Sequence, residues 1–195
     1  MITPPAIPIP PALARRYAGR AEGRTWLASL PALIRRCLAD FGLVADLAPG
    51  ADPWSGHGAI VIPVRLDDGT AAVLKIAYPH EESRAEQHAL ALWDGRGAVR
   101  LLAAGPDAGA LVLERLVADR SLQDVPLEAA VPVWGGLVRS LGLAPDDRAE
   151  WADFDQAAAR AERWSDEFPE RWELLGRPFP RWLLEAALEV CQTRG

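Results

Sequence analysis

A single ammonium in an apolar strand is the first chemical fact of this 195-residue chain. Lys75 is its only lysine, and it sits inside Ala72-Val73-Leu74-Lys75-Ile76. A compact point charge is out of place there unless it meets an anion, phosphate above all. A lysine that merely snorkels from a sheet face to water would carry the same pattern. Glu86 shares the inward side of the following helix with Leu90 and Trp93, so its carboxylate is placed to hold that ammonium. Glu82, one turn earlier, is its rival. Upstream, Trp54-Ser55-Gly56-His57-Gly58 forms a small-residue turn. Two glycines without Cβ let backbone N–H groups approach an anion closely and take positive φ at little cost, although most such turns only reverse the chain. Downstream, Glu114-Arg115-Leu116-Val117 closes an apolar run in charge, which many plain strand ends also do.

These residues need elements to hold them. Apolar alternation predicts strands at Leu43 to Ala48, Ala59 to Leu66 and Ala71 to Tyr78, and shorter apolar runs add Ala98 to Ala103 and Ala110 to Leu116. Asp67-Asp68-Gly69-Thr70 joins the second and third as a hairpin, since Asp-Gly between apolar runs is a strong turn signal. The turn-rich Gly105-Pro106-Asp107-Ala108-Gly109 separates the last two. Three- and four-residue spacing predicts a helix from Leu30 to Phe41, stopped by Gly42, and another from His80 to Trp93, with Gly95 just past its end. After Val117 strand character disappears, and helical patterns cover roughly Leu127 to Leu141, Glu150 to Glu167 and Arg181 to Cys191. Prolines at positions 4, 5, 8, 10 and 11 favour an extended leader over any hydrogen-bonded element. The expected organisation is α+β: a flexible leader over 1–24, a lobe of five antiparallel strands and one helix over 25–117, and a helical lobe over 118–195.

Composition narrows the partners. A formal charge of -6 argues against a sequence-independent grip on nucleic acid, which needs clustered Lys and Arg. Cys37 and Cys191 lie far apart with no second thiol or histidine at metal spacing, so neither a disulfide framework nor a zinc site is indicated. A reducing cytoplasm fits, and no apolar run approaches a membrane span. Between Ala144 and Glu173 ten carboxylates stand against four arginines. Such a surface would attract a cationic ligand, or be only a solvated helix face. Trp151, Trp164, Trp172 and Trp182 in this region read as core rather than as stacking platforms.

The run from Val73 to Leu122 resembles the nucleotide-binding lobe of the aminoglycoside and hydroxyurea phosphotransferases, the group that contains streptomycin 6-kinase. Its specific part is the series Leu74-Lys75, spaced Glu86, Trp93-Asp94-Gly95, Gly97 to Leu102 and Leu111 to Arg115. The resemblance covers about positions 25 to 194 and implies a protein-kinase-like lobe followed by an incomplete helical lobe. It implies ATP-dependent transfer of phosphate to a small-molecule hydroxyl group, on an aminoglycoside such as streptomycin or on hydroxyurea. Lys75 would bind phosphate with Glu86 as its partner, Ser55, Gly56, His57 and Gly58 would form the phosphate loop, and Glu114, Arg115, Leu116 and Val117 the adenine hinge. The sequence departs from the family where a His-Gly-Asp catalytic loop and a later metal-binding Asp are needed, for none of His57, His80 and His88 is followed by Gly-Asp. No catalytic base and no ligand for magnesium is therefore assigned. The chain is expected to be inactive alone, as a truncated product, as a fragment completed by another polypeptide, or as a noncatalytic nucleotide-binding or interaction module. Its helices near 127 to 141 and 181 to 191 are then expected to expose apolar faces open to association.

Overall fold

The computed structural model describes residues 7–105, 109–117, 121–154 and 157–192. The expected turn at Pro106 to Ala108, the first part of the leader and the stretch 118–120 between the two expected lobes lie outside them.

The centre of the molecule is an antiparallel sheet. Strands β1 (Val44–Ala45), β2 (Trp54–Ser55), β3 (Ala59–Arg65), β4 (Ala71–Ala77), β5 (Leu101–Ala104) and β6 (Ala110–Glu114) run in the order β1-β3-β4-β6-β5, with β2 on the β3 edge. β3 and β4 pair over their full length. Their turn is tied by the Leu66 and Thr70 main chain, by Thr70 N–H donating to Asp68 Oδ1 at 2.8 Å, and by Gly69 at φ 83°. The sheet has six strands where five were expected. The extra one, β2, has two residues, too few for any alternation to register in sequence, and it pairs through Trp54↔Val61 and Ser55↔Ile60. β1 is likewise only Val44–Ala45, and β5 starts at Leu101 because Ala98 and Val99 pack against the core as loop.

Both faces of the sheet are covered. Ile60, Ile62, Val64, Ala72, Leu74, Ile76, Ala110 and Val112 pack with Leu13, Trp26, Leu30, Ile34 and Cys37 on one side. Val73, Leu111 and Leu113 pack with Leu90 and Trp93 on the other. The first set of helical residues corrects the leader. Pro11–Tyr17 is helix α1 and Ala21–Asp40 is helix α2, where an extended segment to residue 24 was expected. Proline at a first helical position loses no intrahelical hydrogen bond and has the right φ, so Pro11 opens α1 rather than preventing it. Leu13, Leu30 and Ile34 are at most 2% exposed. Each contributes about 1.5–3 kcal/mol by burial, more than the local preference of the prolines can oppose.

Helix α3 (Glu81–Trp93) covers the second face, and helix α4 (Leu127–Leu141) stays attached to this assembly. The Trp93 indole Nε1–H donates to the Leu141 carbonyl at 2.9 Å, and a Cβ at Gly97 would lie 3.3 Å from Ser140 Cβ. By compactness the chain forms two units, Met1–Trp151 and Ala152–Gly195. Leu127, Val131, Trp134 and Val138 share one side of α4 at four- and three-residue steps, and all are at least half exposed. In the second unit helices α5 (Ala157–Leu174) and α6 (Arg181–Gln192) pack on each other. The helix expected from Glu150 is displaced, because Ala149–Asp153 is a short 3-10 turn and α5 runs on through Pro169. Trp172 is buried, but Trp164 and Trp182 are exposed where core positions were expected. No described helix is long and apolar enough to cross a membrane.

Candidate functional site

One row of residues crosses the sheet. Trp54 pairs with Val61, Val61 with Lys75, and Lys75 with Leu111. Residues directly opposite one another in antiparallel strands point to the same face, and Leu111 belongs to the α3 side. Lys75 therefore emerges beneath α3, flanked by apolar neighbours, as the period-2 reading of its strand requires. There the Lys75 Nζ–H donates to Glu86 Oε1. The two side chains are 24% and 29% exposed, so the pair is shielded yet open to an approaching solute. A lysine ammonium carries three N–H donors and Glu86 Oε1 takes one, which leaves capacity for a phosphate oxygen. The side chain of the rival Glu82 lies outside the described ones.

The small-residue turn closes the β2–β3 hairpin one residue beyond that row. Gly56 N–H donates to the Ala59 carbonyl at 3.0 Å, and Tyr78 N–H donates to the Gly58 carbonyl at 2.8 Å. Ser55, Gly56 and His57 are exposed, while Gly58 is half-buried. The two glycines serve different ends, and neither uses positive φ as anticipated. A Cβ on Gly56 would meet nothing nearer than the Ala59 carbonyl at 4.0 Å, so this side of the turn is open to a ligand. Ala12, Leu13 and Arg16 of α1 line a depression of about 340 Å³ with Ser55, Gly56 and His57. Strands in a sheet are about 4.8 Å apart, which puts Lys75 about 10 Å from Trp54 and within reach of a polyphosphate spanning both. Trp54, 44% exposed in the lysine's own row, is a candidate that sequence reasoning missed. Its only signal was its place immediately before Ser-Gly-x-Gly.

The segment Glu114 to Val117 lies further along the sheet, for Glu114 pairs with Ala72 rather than with Lys75. Its charged side chains are committed to architecture. The Glu114 carboxylate accepts the Arg100 N–H at 2.7 Å, and its own N–H donates to the Arg100 carbonyl at 3.0 Å. Arg115 donates to the Ala72 carbonyl at 3.1 Å, to the Val64 carbonyl at 2.6 Å and to Asp46 Oδ2 at 2.8 Å, tying three strands together. The Arg115 hydrogen bond holds the Asp46 carboxyl below the usual carboxylate range, with the charge of Arg65 adding to it. Leu116 and Val117 follow as exposed apolar residues beyond the strand.

A family model described as "Aminoglycoside/hydroxyurea antibiotic resistance kinase" matches residues 45–149, the stretch that holds Ser55 to Gly58, Lys75, Glu86 and Glu114 to Val117. A streptomycin 6-kinase of Streptomyces glaucescens is 40% identical over 188 residues, covering 94% of this chain and 58% of the relative. A second streptomycin 6-kinase, from Streptomyces griseus, is 39% identical over 142 residues, 71% of this chain and 45% of the relative. A hydroxyurea phosphotransferase of Kitasatospora aureofaciens is 44% identical over 130 residues, 65% of this chain and 36% of the relative. The chain thus spans about half the length of the curated relatives it matches. No solved structure matches it.

Proposed function

Because the chain belongs to the aminoglycoside/hydroxyurea antibiotic resistance kinases, we propose that residues 25–117 are a protein-kinase-like nucleotide lobe that binds ATP. The observation that carries this reading is the Lys75–Glu86 pair. A carboxylate that accepts from the ammonium fixes it under α3 with donors to spare, which is what a phosphate-binding lysine needs. Ser55 to Gly58 would cradle the phosphates, and Glu114 to Val117 would present main-chain groups to the adenine edge. Residues 118–195 would begin the helical lobe that receives the acceptor. The reaction would move the terminal phosphate of ATP to a hydroxyl group of a small molecule. The relatives' names make an aminoglycoside such as streptomycin, or hydroxyurea, the acceptor to test first. A cytoplasmic location suits such a reaction. Association through the exposed apolar side of α4 is part of the same reading.

Magnesium is the metal this chemistry calls for. Among the described residues no three His, Cys, Asp or Glu side chains cluster as a metal site. The test is calorimetric titration of the 195-residue chain with ATP, alongside Lys75→Ala. Binding that is lost in the variant supports the lobe, and absence of binding in both defeats it. A second reading is a noncatalytic nucleotide-binding module. Supplying the remaining part of a relative as a separate chain distinguishes them, because only a kinase lobe then gains Mg²⁺-dependent ATP turnover.

A further inference from the structure

Gly58 lacks a side chain for a reason that its backbone does not explain. Its φ is not positive, so an L-residue could adopt the same conformation. What forbids a Cβ is the Tyr17 hydroxyl, which would lie 2.9 Å from it. A side-chain tip usually swings aside at small cost, but this one is held. The Tyr17 ring stacks on Tyr78 with centroids 4.6 Å apart and lies edge-on to Trp26 at 5.0 Å, and Trp26 lies edge-on to Tyr78 at 5.3 Å. The α1–α2 junction holds it from behind, for a Cβ at Gly23 would stand 2.2 Å from the Tyr17 carbonyl oxygen. Tyr78 then closes the circuit by donating its main-chain N–H to the Gly58 carbonyl at 2.8 Å.

We propose that Tyr17 is a positioning residue for the glycine turn: through the Tyr17–Trp26–Tyr78 cluster, the N-terminal helix pair sets where Ser55 to Gly58 stand to receive the phosphates of a nucleotide. The inference rests on the nucleotide reading above for its ligand, and on the contact at Gly58 for its mechanism. Aromatic pairs of this kind are directional as well as apolar, so they fix a ring's orientation and not only its burial. The turn has few other anchors. Outside the strand ladders its described main-chain hydrogen bonds are Gly56 to Ala59 and Tyr78 to Gly58, the second of them from a member of the cluster. Tyr17 does not touch the ligand. It removes freedom that the turn would otherwise lose on binding phosphate, which is a gain in affinity by preorganisation.

The contact makes the test specific. ATP and adenosine affinities are measured by calorimetry for the full chain, for Gly58→Ala, and for Gly58→Ala combined with Tyr17→Phe. Gly58→Ala is expected to weaken ATP about tenfold while adenosine, which has no phosphate for the turn, stays within about twofold. Adding Tyr17→Phe removes the oxygen that the new Cβ strikes but keeps the ring stack, and should restore most of the ATP affinity. A purely structural defect would lower both ligands together and would not be rescued. Undiminished ATP binding by Gly58→Ala, or failure of the rescue, overturns the proposal. Hydrogen exchange provides a reading free of nucleotide: in Tyr17→Ala the amides of residues 56–58 should exchange faster while those of Leu74 and Ile76 in β4 do not. Equal exchange at the turn would end the idea by itself. If the wild-type chain binds no ATP, the nucleotide reading falls and the exchange result alone judges the clamp.

Discussion

Two cations on the same sheet, Lys75 and Arg115, are paired with carboxylates in opposite ways. Arg115 spends its guanidinium on two main-chain carbonyls and Asp46. Lys75 makes one charge-assisted bond, to Glu86, from a strand whose neighbours are apolar. Both side chains are about a fifth to a quarter exposed, so burial does not separate them. The partners do. All three guanidinium nitrogens of Arg115 reach fixed acceptors, two of them main-chain carbonyls, whereas the Lys75 ammonium is held by a single carboxylate. The comparison teaches that a cation restrained by one side-chain partner is a binding candidate, and one held by main-chain partners from several strands is a structural tie.

Substitutions at the two cations should separate affinity from stability. Lys75→Ala is expected to cost about a hundredfold or more in ATP affinity, two tenfold steps of binding free energy, with a melting temperature close to wild type. Arg115→Ala should do the reverse. It leaves the Ala72 and Val64 carbonyls without their partner, a loss of about 2 kcal/mol at the rate typical of hydrogen bonds to a charged group. Its ATP affinity, once measured below the unfolding range, should match wild type. Parallel losses in both variants, by calorimetry and thermal melts, would show that the two pairs do the same job.

Glu86→Gln sharpens the distinction on the lysine side. Glutamine keeps an oxygen for the ammonium but removes the charge, so Lys75 stays in place with a weaker tether. About a tenfold loss of ATP affinity is expected, smaller than the loss from removing the ammonium itself. If Glu86→Gln binds ATP as well as wild type, the pair is an incidental contact and Lys75 is positioned by its strand alone.

How far these pairs could be read in sequence follows from how local they are. The β3–β4 hairpin and the Lys75-to-Glu86 relation rest on a period of two, an Asp-Gly turn and a helix that follows directly, all written within a short stretch. Arg115 and Asp46 meet only because β1 and β6 are brought to β3 and β4 by the sheet order, which no local pattern encodes. The same holds for Tyr17 and Tyr78. Prolines before Leu13 spoke for an extended leader, and burial of α1 and α2 against the sheet overrode that preference. β2 is too short to leave an alternating signature, so Trp54 could not be placed in the lysine's row from sequence.

The smallest expected effect is the most diagnostic of Asp46. Its folded-state pKa is depressed, mainly by the hydrogen bond from Arg115. A carboxyl with a depressed pKa contributes stability that is fully present above its unfolded pKa, about 3.9, and is lost as pH falls through the folded value. Wild-type chain should therefore lose this contribution only below about pH 4. Asp46→Asn cannot titrate, so it should begin less stable at neutral pH and lose less on acidification, and the two melting curves should converge as pH is lowered. Arg65 also lies 3.1 Å from Asp46 and half of its side chain is exposed, so salt should screen its share while leaving the bond to Arg115. Melts at low and high ionic strength across that pH range test both parts. A gap between wild type and Asp46→Asn that stays constant down to pH 3 would mean that Asp46 acts through packing, and that the Arg115 tie is made by its two carbonyls alone.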